Sequence, residues 1–152
     1  MVYLAQIQDN SHVLELWFWK WNITKEIIGS HAKNIHIFAL EIDKNAYESV
    51  SHITQSLDNI SLYHSGAENI VSLLGWESVD VIISSLPLGS LSQDQNDAIL
   101  DAMYQVLKPG GKYIQYQYWP KNKDDVKKRF EFDHIYYDVR NIPPVFIYVT
   151  HK

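Results

Sequence analysis

At 152 residues, 46% apolar and 20% charged, the chain has the arithmetic of one compact globular domain whose core needs no covalent staple. It contains no cysteine, which excludes disulfides, thiolate metal sites and thiol nucleophiles and suits a reducing, cytoplasmic setting. Thirteen Lys plus Arg against eighteen Asp plus Glu give a formal charge of −5, so no nucleic-acid partner is expected, since an electrostatically driven one would call for a basic chain.

In chain order, Met1-Val2-Tyr3-Leu4-Ala5-Gln6 lacks the basic stretch and apolar run of a secretory signal. No segment approaches the roughly 20 apolar residues of a membrane span. His12 to Leu16 reads as a first strand. Ile23, Ile27 and Ile28 share one face of a helix that Gly29 and Ser30 end. Ile35 to Ile42 is a second strand, largely apolar on both faces as buried parallel strands are. A helix from Asn45 to Leu57, a short strand from Ser61 to His64 and a brief helix from Ala67 to Leu74 follow, then a fourth strand from Val79 to Ser84. The best helix runs from Gln93 to Leu107, with Ile99, Leu100, Met103, Val106 and Leu107 as its apolar stripe. Lys108-Pro109-Gly110-Gly111 is expected to stop it. Tyr113 to Tyr118 is a fifth strand, and the charged stretch Lys121 to Arg129 a short solvated helix. His134 to Val139 and Val145 to Val149 close the chain through Asn141-Ile142-Pro143-Pro144. This alternation predicts one α/β domain: a doubly wound, mostly parallel seven-stranded sheet covered by helices on both faces. The last two strands are joined too tightly for a crossover helix, so the C-terminal strand is antiparallel.

In such sheets a ligand lies beyond the carboxyl ends of the strands, where the strand order reverses. The first exit loop there is Glu15-Leu16-Trp17-Phe18-Trp19-Lys20-Trp21-Asn22-Ile23-Thr24. Glu41 stands at the tip of the second strand in Ala39-Leu40-Glu41-Ile42-Asp43, and Ser65-Gly66-Ala67 follows the third. Ser84-Ser85-Leu86-Pro87-Leu88 follows the fourth, and Leu107-Lys108-Pro109-Gly110-Gly111 precedes the fifth. In this order the motifs resemble the class I S-adenosylmethionine-dependent methyltransferases over nearly the whole chain. Ser84-x-Leu86-Pro87-Leu88, Tyr113 to Tyr118 and Asn141-Ile142-Pro143-Pro144 narrow the resemblance to bacterial phosphatidylethanolamine N-methyltransferases. The related ribosomal RNA adenine dimethyltransferases usually carry Asn-Leu/Ile-Pro-Tyr/Phe after the fourth strand and a C-terminal helical domain, and neither is found here.

The resemblance implies a Rossmann-like fold, S-adenosylmethionine as cofactor, no metal, and a small-molecule or lipid amine, here a phospholipid amine, as methyl acceptor. It assigns the cofactor to Glu15, positions 17, 19 and 21, Glu41, Ile42, Gly66, Ala67 and Ser84. Glu41 would take the ribose hydroxyls, because a carboxylate accepts two hydrogen bonds from a cis-diol. Ser85, Leu86 and Pro87 would form the catalytic, substrate-facing turn. Amine methylation needs a deprotonated nitrogen in line with the methyl group and little acid–base machinery, so positioning can supply most of the rate. The family's N-terminal segment, which grips the membrane and lids the cofactor, has no counterpart in the short stretch before the first strand. The family's loop is Gly-x-Gly-x-Gly, whereas here the three glycine places hold Trp17, Trp19 and Trp21. Glycine permits a left-handed backbone and close approach to a ligand, while each indole brings about 150–250 Å² of buriable surface. Flanks that are otherwise intact make the three changes read as a block, with cofactor affinity severely reduced.

Other readings compete at each position. Asp43 is expected to cap the helix that follows. Glu15 either organises the loop through backbone N–H groups or touches ligand. Ser84 and Ser85 are expected to satisfy backbone groups at a strand end. Tyr116 and Tyr118 alternate with Gln115 and Gln117, so one pair faces the core and the other the site. The seven histidines lack metal-ligand spacing. The run Lys121, Lys123, Lys127, Lys128, Arg129 is a solvated face, with contact to anionic lipid headgroups, peripheral at a membrane, as the alternative. Trp17, Trp19 and Trp21 have two further readings: a quaternary-ammonium site through cation–π attraction, or a homodimer contact. Either would make the chain a non-catalytic scaffold or binding module.

Overall fold

The computed structural model describes residues 2–16, 22–140 and 142–152. Its strands are β1 (His12–Leu16), β2 (His36–Glu41), β3 (Ile60–His64), β4 (Val79–Ser84), β5 (Leu107–Gln117), β6 (Glu131–Asp138) and β7 (Val145–His151). They form one sheet in the order β3-β2-β1-β4-β5-β7-β6. The pairs β1–β2, β2–β3, β1–β4 and β4–β5 are parallel, and β7 runs antiparallel to both its neighbours. The chain winds outward from β1 to β3, then returns to the other side of β1 with β4. The strand order therefore reverses between β1 and β4, which is where the sequence places the site.

The helices are α1 (Asn22–Ile28), α2 (Lys44–Thr54), α3 (Ile70–Leu74), α4 (Gln93–Val106) and α5 (Lys123–Lys127). Because side chains alternate across a strand, neighbouring residues feed opposite cores. Val13, Ile37, Val81, Ile83, Ile114 and Ile147 pack with Ile27 of α1 and with Val2 and Ala5 of an N-terminal 3-10 turn. Leu14, Leu16, Leu40, Ile82 and Tyr113 pack against Leu100, Met103 and Val106 of α4 and against Val126 and Phe130. Two-sided burial is why the central strands read as continuous apolar runs.

The local signals are sound where capping chemistry is present. Asp43 caps α2, accepting from the Ala46 N–H at 2.8 Å. Ser92 and Gln95 form a reciprocal capping box at the start of α4.

Three expectations need correction. Lys108-Pro109-Gly110-Gly111 does not separate α4 from a later strand. The helix ends at Val106 and β5 begins at Leu107, with an irregularity between the Val79–Leu107 and Val81–Lys112 pairs. Lys152 holds this stretch in the sheet: Gly110 N–H donates to its carbonyl and its own N–H donates to Gly111 O, both at 3.0 Å. Gly111 is needed for the close approach, because a Cβ there would lie 2.7 Å from Leu107 Cδ1 and 2.8 Å from the Lys108 carbonyl. The second correction is at α5, which is not wholly solvated: Val126 and Phe130 are buried, and Arg129 reaches Asp97 at 2.9 Å and Asp101 at 2.5 Å on α4. The third is β6, which starts at Glu131 rather than His134, because its ladder with β7 extends to the Glu131–His151 pair.

Candidate active site

Four strand ends converge at the carboxyl edge. At the end of β1, Glu15 is 2% exposed. Its Oε2 accepts a short hydrogen bond from Thr24 Oγ1 of α1. Burial pushes the Glu15 carboxyl from 4.5 up to about 7, with the Thr24 bond opposing the rise. Its partner among the described residues is thus a hydroxyl in the first turn of α1. Trp17, Trp19 and Trp21 lie outside the described residues.

At the tip of β2, Glu41 is equally buried. Its Oε1 accepts from Asp43 N–H at 2.7 Å, and its second oxygen accepts no hydrogen bond from the described residues. Ile42 beside it is exposed, and its carbonyl meets His64 Nε2 at 3.1 Å, with Tyr47 stacked on the imidazole. After β3, Gly66 and Ala67 open a 3-10 turn. The Glu68 carboxylate folds over Gly66 and fills the space a Cβ would take there. An acid, Glu68, therefore stands on this loop beside Gly66.

The turn after β4 is fixed from two sides. Ser84 is fully buried and its Oγ accepts from Leu86 N–H at 3.2 Å, the backbone-satisfying role expected of it. Leu86 O accepts from Gln115 Nε2 at 3.0 Å and from Leu88 N–H at 2.9 Å, so both its lone pairs are used. Gln115 Oε1 in turn accepts from Tyr113 Oη at 2.6 Å, and burial raises the Tyr113 phenol. Ser85 N–H donates to Leu16 O at 3.2 Å, tying the ends of β1 and β4 together.

Beyond this turn opens a cavity of about 960 Å³. Ile23 and Glu26 of α1, Ser85, Leu86 and Pro87, Gln117, Tyr118 and Trp119 at the end of β5, and Lys121 contribute to its walls. Tyr116 also lines it, edge-on to Tyr118, and burial together with the Tyr118 neighbour pushes its phenol up to about 12. The tyrosine pair therefore faces the site, while Gln115 is sealed in the core and Gln117 stands between the two. The sequence leaves open which pair faces the site, and it does not show that Gln115 pins the turn after β4, although a polar residue inside a central strand is the signal for such a role. Among the described residues no three His, Asp or Glu side chains come together as a metal site, and no helix is long and apolar enough to cross a membrane.

A reversed strand order with a buried carboxylate on β2 and a cavity beyond β4 defines a Rossmann-like methyltransferase fold. A family model described as a methyltransferase domain matches residues 22–111, and the chain belongs to that family. Solved structures agree on the fold. The N-methyltransferase NodS of Bradyrhizobium japonicum, in complex with S-adenosylhomocysteine, superposes with a TM-score of 0.79 at 12% identity, covering 99% of this chain and 83% of that one. A SAM-dependent methyltransferase of Aquifex aeolicus gives 0.78 at 12% identity over 95% of this chain and 83% of its own. A possible exported protein of Bordetella parapertussis gives 0.71 at 11% identity over 99% of this chain, which spans 65% of that structure. No curated protein matches the sequence.

Proposed function

We propose that the chain is an S-adenosylmethionine-dependent N-methyltransferase domain for a phospholipid amine, whose hold on the cofactor is weakened by Trp17, Trp19 and Trp21. The observation that supports it most is one end of the sheet carrying both a buried Glu41 carboxylate, one oxygen of which accepts nothing from the described residues, and a large cavity at Ser85-Leu86-Pro87. That carboxylate suits a ribose diol. Glu15, Ile42, Gly66, Ala67 and Ser84 would line the same cofactor, with Glu68 as a further acceptor for its amino group. When bound, the cofactor supplies an electrophilic methyl group.

The chain's own residues prepare the acceptor. Ser84 and Gln115 lock both backbone groups of Leu86, so Ser85, Leu86 and Pro87 present a rigid wall. Ile23, Leu86, Pro87 and Trp119 exclude water around the amine, and desolvation favours its neutral, nucleophilic form. An acceptor drawn from a bilayer implies peripheral contact with the cytoplasmic membrane face.

Isothermal titration with S-adenosylmethionine tests this. The native chain is expected to show no micromolar binding, and the triple variant Trp17→Gly/Trp19→Gly/Trp21→Gly to gain it. Micromolar binding by the native chain would overturn the block. No binding by the triple variant would leave a non-catalytic scaffold on the methyltransferase fold.

A further inference from the structure

The turn after β4 has little left with which to hold an acceptor. Leu86 O is doubly bonded, Leu86 N–H is taken by Ser84, and Leu88 O accepts from Asn96 Nδ2 at 2.8 Å. One pleat beyond Gln115 the situation reverses. Gln117 is 6% exposed and lines the cavity, yet its carboxamide makes no hydrogen bond with the described residues, and its Nε2 is sealed from solvent. The sealed Nε2 is a donor that an incoming amine could not complete; the oxygen, which accepts nothing from the described residues, is the end of the amide left for a ligand's donor on the cavity wall. On the same wall Lys121 is exposed and forms no ion pair with the described residues. Tyr116, Tyr118 and Trp119 line the cavity with these two groups.

We propose that Gln117 and Lys121 grip the two ends of a zwitterionic amino-phosphate acceptor. The Gln117 carboxamide oxygen accepts a hydrogen bond from the amine inside the cavity, and the Lys121 ammonium holds the phosphate at its mouth. This rests on the reading of the cavity as the acceptor site and adds the direction in which the acceptor enters. An amine that donates to Gln117 keeps its lone pair free to point elsewhere, which is the orientation a nucleophile requires.

The test is a titration of the native protein followed by ¹H–¹⁵N spectra, the Gln117 side-chain amide being assigned by its loss in Gln117→Leu. Glycerophosphoethanolamine, sn-glycerol 3-phosphate and inorganic phosphate are the probes. Glycerophosphoethanolamine is expected to move the Gln117 amide, and the two phosphates without an amine to leave it in place. Gln117→Leu should weaken glycerophosphoethanolamine about tenfold and leave glycerol phosphate unchanged, while Lys121→Gln weakens both. Gln117→Met serves in its place if the leucine variant melts early. Native-like affinity in the Gln117 variants, or a Gln117 amide unmoved at saturation, would overturn the assignment while leaving the phospholipid-amine reading intact. Failure of the native protein to bind glycerophosphoethanolamine would overturn both.

Discussion

Glu15 has a carboxyl whose burial favours its protonated form. Its carboxyl is raised from 4.5 to about 7, chiefly by burial. The folded chain therefore keeps a proton that the unfolded chain releases between about pH 4.5 and 7. The native state binds more protons across that window, so stability falls as pH rises through it and levels off above. The stability lost through this one group is about 3 kcal/mol. Glu15→Gln keeps an oxygen for the Thr24 hydroxyl and removes the titration. Urea unfolding should then find the variant about 2–3 kcal/mol more stable than the native chain at pH 8, with the gap closing at pH 4.5. A gap independent of pH would show that Glu15 does not carry this proton. Gln117 shows burial of a polar group without charge, its sealed Nε2 making no hydrogen bond with the described residues.

Between elements, the tie that positions α5 is Arg129, which bonds Asp97 and Asp101 of α4 with a side chain only 15% exposed. Arg129→Ala should cost about 1–2 kcal/mol and speed hydrogen exchange in α5 while leaving β1 and β4 protected; uniform acceleration everywhere would contradict a local tie. That tie was illegible in the sequence, where Lys121 to Arg129 reads as a solvated charge run and Val126 and Phe130 are too few to show a stripe. β1, β2 and β4 were legible because burial on both faces writes a continuous apolar run, and Asp43 because a cap has a fixed chemical signature. The start of β5 was not, since Lys108-Pro109-Gly110-Gly111 carries every local mark of a turn, and the residues that draw it into the sheet, Val79 of β4 and Lys152, are distant in sequence. At the site, Glu15 and Glu41 could be named from their places at strand tips. The bond of Thr24 to Glu15 and that of Gln115 to the Leu86 carbonyl could not, because each joins elements that only the fold brings together.

Across the whole molecule, protection should follow position in the sheet. The middle strands are sealed by both cores, and Ile82 is fully buried. β6 pairs with β7 on one side and ends the strand order on the other, and Ile135, Tyr136 and Tyr137 along it are 40%, 40% and 57% exposed. A terminal strand that adds one ladder and little buried area opens at lower free energy than the core. Ile82→Ala should therefore cost about 2–5 kcal/mol and lower the protection of every slowly exchanging amide, whereas Ile135→Ala should stay within about 0.5 kcal/mol. Native-state hydrogen exchange is expected to rank β6 below β1 and β4 at all protein concentrations. Protection of β6 that rises with concentration would instead mean that a second copy covers this edge, since an open strand with exposed aromatic residues is a template for pairing.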